Sequence, residues 1–313
     1  DMLKYIGKRL LLMLPVLLGI SFILFTIMDF TPGDPARMIL GEYASQEEVD
    51  ALREEMGLNE NFFVRYGKYV ADAVTGDFGE SYRSSTPVVE EIAARFPATL
   101  KIAVLAMFIA VLIGIPVGII SAVKQYSFAD ILSTVAALAF TSIPAFWLGL
   151  LLIMFFSVQL KLLPAVGSDT WKHMLMPSVS LAAAQMATII RMTRSTMLEV
   201  IRQDYIRTAK AKGAPQKRVI FHHAIKNALL PVITTVGLSM GNLLGGALII
   251  ENVFGISGLG TLMVNSVKSK DTPMLIGSVM FAAVIAGLVN LVVDVLYTYI
   301  DPRIKAQFVK KKK

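Results

Sequence analysis

Residues 204–227 read "DYIRTAKAKGAPQKRVIFHHAIKN", a run of cations with a glycine and a proline inside it, set between two strongly apolar stretches. Ala209 and Ala211 are strong helix formers, and Gly213 is a natural helix stop. Pro215 discourages continuation. A second amphipathic piece, "KRVIFHHAIKNALL", leads into the next apolar run. The pattern predicts a short, capped, basic helix tethered at both ends.

The flanks decide what that helix is tethered to. The chain has 313 residues, 55% of them hydrophobic and 17% charged, against roughly a quarter charged in soluble domains. This composition reads as all-α integral membrane protein. With no cysteine, disulfides, thiolate zinc sites and thiol catalysis are excluded. The net charge is +7, and its distribution says more than its sum.

A helix needs roughly 20 apolar residues to cross a bilayer core, and about six runs qualify. They are Leu10 to Met28, Leu100 to Val123, Ile131 to Val158 interrupted by "SIPAF", Leu175 to Leu198, Leu229 to Ile250 and Leu275 to Ile300. The first is long for the apolar part of a signal peptide and lacks a small-x-small exit before Phe30, so it is expected to stay as an anchor. Lys4, Lys8, Arg9, Lys124, the cations of 191–226 and the terminal lysines fall on one side if there are six spans. The charge rule makes that side, and both termini, cytoplasmic. The acidic segment between spans one and two suits a solvent-facing subdomain, with Ser45 and Glu48 placed for a capping box. The expected organisation is a first segment and span over 1–30, an extracytoplasmic subdomain over 31–97, a membrane core over 98–303 and a basic tail over 304–313.

Four roles are open to this segment and its short helix near 204–215: positive-inside charge alone, an interfacial helix on lipid headgroups, RNA binding, and docking into a groove on a cytoplasmic partner. Aromatic interleaving for base stacking is thin, which disfavours nucleic acid.

Here the sequence resembles the membrane subunit of ABC importers of the dipeptide/oligopeptide/nickel class. In that superfamily the corresponding loop carries an EAA-type motif ending in Gly. Arg207, Thr208 and Ala209 take the places of Glu-Ala-Ala, and Gly213 is the motif glycine; peptide-class members read similarly to "YIRTAKAKG". The likeness extends through "FTPGDPARMIL", "GLNENFFVRYGKYV", "TGDFGESY", "SIPAFWLGLLLI", "ENVFGISGLGTLMVNSVKSKDTPMLIG" and "NLVVDVLYTYIDPRI" in order. It implies a type I ABC importer permease fold with about six membrane helices. It also implies that Tyr205, Arg207, Thr208, Ala209, Lys210, Ala211, Lys212 and Gly213 form a coupling helix for an ATPase cleft. The implied partners are a second homologous permease subunit, two ATPase subunits that hold ATP and magnesium, an extracytoplasmic solute-binding protein and membrane lipid. No cofactor is expected on this chain, and the implied location is a bacterial or archaeal cytoplasmic membrane. Peptide is the expected cargo, with nickel as the alternative.

"GISGLGT", residues 255–261, lacks the Gly-Lys-Ser/Thr ending of a phosphate loop and reads as a glycine-permitted turn or re-entrant hairpin. No GxxxxGK[ST] occurs anywhere in the chain, so if transport is ATP-driven the hydrolysis comes from another polypeptide. His222 and His223 are adjacent rather than four apart, which does not favour a metal. Polar groups within spans are pathway candidates or helix-pairing groups: Gln185, Arg191, Asn242, Glu251, Asn290 and Asp294. A pair of Asp294 with Arg191 or Arg194 is expected. Gly241 and Gly245 have GxxxG spacing, which suggests close helix packing there, with a homologous partner subunit as a candidate facing surface. A channel, a secondary transporter or an intramembrane enzyme is the different-class alternative. No repeat and no nucleophile–base set supports either.

Overall fold

The computed structural model describes residues 2–300, with side chains described for 4–296. The expected basic tail and the end of "NLVVDVLYTYIDPRI" lie outside these residues. In chain order the helices are α1 (Met2–Phe30), α2 (Pro35–Leu40), α3 (Gln46–Glu55), α4 (Phe62–Val74), α5 (Val88–Val123), α6 (Phe128–Ser142), α7 (Ala145–Leu152), α8 (Trp171–Ile201), α9 (Asp204–Ala211), α10 (Gln216–Arg218), α11 (Ile225–Val253), α12 (Leu259–Lys268) and α13 (Thr272–Ile300). Wide π-helical turns follow α7 at Ile153–Gln159 and precede α11 at Val219–Ala224. No strand is present among the described residues; Glu80 and Pro87 form one isolated bridge. Two compact units divide the chain, Leu100–Ile256 with residues from Leu288 onward, and Met2–Thr99 with Ser257–Gly287.

The first unit is built on α8. The segment of α5 from Leu100 runs parallel to it: the Ser178 hydroxyl faces the Ile102 carbonyl at 3.5 Å. Further along, Gly114 meets Ile189 and Gly118 meets Thr193, where added Cβ atoms would lie 2.9 and 2.6 Å from those side chains. Glycine is therefore what allows the two backbones to approach. The two glycines have GxxxG spacing. At Gly245, by contrast, an added Cβ meets nothing within 4 Å, and at Gly241 only the Asn290 amide at ordinary contact distance. Within this chain Gly114 and Gly118 mark a close approach of two helices and Gly245 does not, because burial of a small-residue face depends on a facing helix that spacing alone does not reveal.

α6 and α7 meet at 103°. The Ile143–Pro144 junction explains the break: Pro144 has no N–H to donate, and the residue before a proline is pushed to extended backbone, here φ −85° and ψ 122°. The bent pair follows α8 over much of its length. Asp130 at its start pairs with Arg194, Ala137 packs with Ala187 and Ile190, and Gly149 lies against Ser180. From 194 to 180, at 1.5 Å per residue, is about 21 Å. Five helices are long and apolar enough to cross, and the bent pair counted as one span makes up to six. α11 runs antiparallel to α8, with Ala228 near Met197 and Gly246 near Leu181, and α13 returns antiparallel to α11, with Val293 at Gly237.

In the second unit α1 carries α4 on its side. The Tyr66 hydroxyl faces Ser21 Oγ at 3.0 Å and the Leu18 carbonyl at 3.1 Å, and Phe22 and Phe25 make edge contacts with Phe62 and Tyr66 at 5.3–5.8 Å. Local caps set the short helices. Asp34 accepts from the Ala36 N–H, Asn61 accepts from the Phe63 N–H, and Ser45 with Glu48 forms the expected capping box. The Ser45 N–H and hydroxyl hold the Glu48 carboxyl below the ordinary range. Asp271 gathers the turn of 80–87 by accepting from the Ser81 hydroxyl and the Tyr82 N–H.

Candidate functional site

The basic helix forms as Asp204–Ala211. Gly213 takes φ +78°, a conformation costly for residues with a Cβ. Its N–H donates to the Lys210 carbonyl at 2.9 Å, and the Ala214 N–H reaches back to the Ala209 carbonyl at 3.2 Å. This paired bonding is a Schellman cap. It lets the chain turn abruptly before Pro215.

One side of α9 is anchored. Ile206 is fully buried in a cluster with Ala122, Met197, Val219, Ala224 and Ala228, and Ala209 and Ala214 pack on the edge. The cluster joins the ends of α5 and α8 to the start of α11. Burying Ile206 is worth roughly 2–3 kcal/mol, enough to hold an eight-residue helix that would not form alone. The Asn227 amide of α11 also donates to the Tyr205 hydroxyl at 2.9 Å. Tyr205, Arg207, Thr208, Lys210, Ala211, Lys212 and Gly213 remain exposed. Arg207 and Asp204 are 3.7 Å apart and largely in solvent, so that pair contributes little to stability. The outward face is thus a rigidly mounted cationic surface. Ile206, its mounting residue, is not among the positions that the motif singles out, though its apolar character within a basic stretch is the signal for it.

Next to this cluster, Ser121 of α5 and Arg194 of α8 converge on Asp130 of α6. Arg194 forks onto the carboxylate through Nε at 2.6 Å and Nη2 at 2.9 Å. The Ser121 hydroxyl and the Tyr126 N–H complete its donors, the latter presented by a left-handed residue at φ +63°. Of the two arginines expected as partners for Asp294, Arg194 engages Asp130, which precedes the third apolar run and so lies outside the spans read from the sequence.

Of the other polar candidates, Glu251 is fully buried, Gln185, Asn290 and Asp294 are half-buried, and Arg191 and Asn242 are exposed. The structure brings Asn290 beside Gly241. His222 and His223 stack edge to face at 5.1 Å. His173 contacts Thr170 at the start of α8. Among the described residues no group of three His, Asp or Glu is placed to hold a metal ion. Residues 255–261 form a turn, with Gly255 at φ +59°, that leads into α12.

Two family models match in succession. "Binding-prot-dependent transport system membrane comp, N-term" matches residues 2–103, and "Binding-protein-dependent transport system inner membrane component" matches residues 114–306. The chain is 44% identical to the dipeptide transport system permease protein DppB of Alkalihalophilus pseudofirmus, over 97% of this chain and 100% of that one. It is 43% identical to the glutathione transport system permease protein GsiC of Escherichia coli K12, over 97% and 99%. Among solved structures, an inward-facing MetNI methionine ABC transporter chain superposes with TM-score 0.57 at 20% identity, covering 67% of this chain and 96% of that one. A chain of an amino acid ABC transporter with histidines gives 0.53 at 16%, over 69% and 94%. These likenesses establish the shared type I permease fold. With both models matched and relatives above 40% identity over nearly its full length, the chain belongs to the binding-protein-dependent transport system inner membrane components, the permease family of ABC importers.

Proposed function

We propose that this chain is one of two permease subunits of an ATP-driven peptide importer, and that α9 is its coupling helix. The observation that carries the reading is the combination of a buried mounting face at Ile206 with an exposed cationic face from Tyr205 to Gly213. A helix meant only to supply positive charge needs no such mount. Lys124, Arg202, Arg207, Lys210, Lys212, Lys217, Arg218 and Lys226 lie at this end of the first unit, which supports a cytoplasmic placement. Residues 31–97 then form an extracytoplasmic subdomain that meets a solute-binding protein. Residues 98–303 supply half of the pathway.

The mechanism follows from the mount. Two ATPase subunits, holding ATP and magnesium, close at the cytoplasmic face and carry α9 with them. Because Ile206 is buried among residues of α5, α8 and α11, displacement of α9 is passed to those helices as a body, and the pathway exchanges inward for outward access. The Asp130–Arg194 fork extends the same body to α6. Gln185, Arg191, Asn242, Glu251, Asn290 and Asp294 are the candidates for polar lining. The relatives' names favour peptide over nickel, and this chain itself performs no hydrolysis.

The test is co-expression with candidate ATPase and second permease subunits. A copurifying complex with peptide-dependent transport is expected. Gly213→Val and Lys210→Glu are expected to leave membrane insertion intact while lowering transport per ATP hydrolysed. Transport by the chain alone, or unchanged coupling in both variants, would overturn the assignment.

A further inference from the structure

The outward faces of the spans in the first unit differ in chemistry. On α5 an exposed row is formed by Val104, Phe108 and Leu112, and on α6 by Ile131, Val135 and Leu138. These apolar rows suit lipid. α11 breaks the pattern. Leu238, Asn242, Gly245, Ile249 and Asn252 are exposed on it, and Thr235 is half-exposed. At 3.6 residues per turn these six fall within an arc of about 100°, and at 1.5 Å per residue the row runs about 26 Å, most of a hydrocarbon core.

Three of the six are polar, and the other helices of the chain do not satisfy them. The Thr235 hydroxyl donates to the Pro231 carbonyl at 3.0 Å and the Asn252 amide to the Leu248 carbonyl at 2.8 Å, both within α11. The Asn242 amide, in the middle of the row, has no hydrogen-bond partner among the described residues. A side-chain amide turned to hydrocarbon without a partner is costly. One turn further on, a Cβ added at Gly245 meets nothing within 4 Å, so no helix of this chain covers the row there. Two other polar candidates are turned into the chain rather than out of it: Glu251 is fully buried, and Asn290 packs beside Gly241.

We infer that this row of α11 is the water-facing wall of the chain's half of the pathway, and that the Asn242 amide contacts the main chain of the peptide in transit. The inference rests on the peptide-permease reading above, which requires a wet face and leaves open which helix carries it. A side-chain amide offers the same donor and acceptor groups as a peptide bond and carries no charge. It exchanges hydrogen bonds with the main chain of any residue, and it holds its partner weakly enough to release it, as passage through a membrane demands.

The chain has no cysteine, so single thiols can be placed without first removing others. Asn242→Cys and Gly245→Cys on α11, with Val135→Cys and Leu138→Cys on α6 as lipid-facing references, are reacted with a charged methanethiosulfonate. The reaction is run without ATP, in membranes that also contain the candidate ATPase and second permease subunits. The α11 thiols are expected to react at least about tenfold faster than the α6 thiols, because the thiolate that attacks forms only where water reaches it. Either α11 variant decides the comparison. Equal rates on the two helices would put the row in lipid or against a dry helix of the second subunit, and would overturn the inference. Excess trialanine is expected to slow the reaction at Gly245→Cys. Adding Asn242→Leu should raise the trialanine concentration that gives half-protection at least about fivefold, the scale of one neutral hydrogen bond, and Asn242→Gln should not. No protection, or an unchanged value with Asn242→Leu, would overturn the peptide contact. Because no ATP is present, failure here leaves the coupling reading standing. Unchanged transport per ATP in the α9 variants would remove that reading and leave the measured rates in place.

Discussion

The two units treat charge in opposite ways. In the first, Asp130 is 3% exposed and surrounded by donors: both arms of Arg194, a hydroxyl and a backbone N–H. Every strong acceptor site is used, and the result is a rigid joint between α5, α6 and α8. In the second, Arg53, Arg65 and Lys270 line a cavity together with Asp29, Asp34 and exposed acids, and the matching is loose: Arg53 stands 3.6 Å from Asp34, and the Lys270 amine donates to the Thr31 and Gly33 carbonyls. A fully matched charge set fixes position, whereas a loosely matched one constrains its helices less.

Breaking the complete set should have the largest effect. Asp130→Ala leaves Arg194 without its partner and should cost about 3 kcal/mol, seen as a lowered thermal midpoint of the detergent-solubilised chain. Loss under about 1 kcal/mol would mean that the joint is not a stabilising element. Next is the contact that lets α5 approach α8. Gly118→Ala would set a Cβ 2.6 Å from the Thr193 side chain and 2.8 Å from the Ile190 carbonyl, costing about 2 kcal/mol by overpacking in the same assay.

The second unit should respond more gently. Ser45→Ala removes a helix cap and should cost about 1 kcal/mol, read by proteolysis of the 31–97 segment. The Glu48 side of that cap contributes above the ordinary glutamate range and fades as pH falls through its lowered value. Smallest at neutral pH is Lys270→Met, where loss of the amine's bonds to the Thr31 and Gly33 carbonyls is offset by removing the cost of burying a charge. Its signature is a slope. The folded state holds the Lys270 proton less tightly than the unfolded state. Between that lowered value and the ordinary one near 10.5, wild-type stability should rise with pH. Lys270→Met should flatten the rise, and an unaltered profile would remove Lys270 from the account.

Much of the membrane architecture was legible because a bilayer imposes a length: each of the apolar runs falls within a helix, or within the bent pair, that crosses. The stop at Gly213 and the box at Ser45–Glu48 were legible because their bonding is local, within six residues. The close approach at Gly114–Gly118 was not legible, since Gly114–Gly118 and Gly241–Gly245 have the same spacing and differ, within the chain, only in what faces them. The partner of Arg194 was also missed. Asp130 lies just outside an apolar run, 64 residues from the arginine, and nothing in the intervening residues records that the bent pair folds back along α8.

Composition, run length and local capping chemistry determined by themselves that this chain crosses a membrane about six times and carries a short basic helix between two crossings. They act over one turn of helix or one bilayer thickness, and so can be read along the chain. The tertiary structure alone decided that Ile206 mounts that helix, that Arg194 belongs to Asp130, and that Arg53, Arg65 and Lys270 share one cavity. Each of these joins residues distant in sequence, where packing of whole helices, and not local propensity, sets which side chains meet.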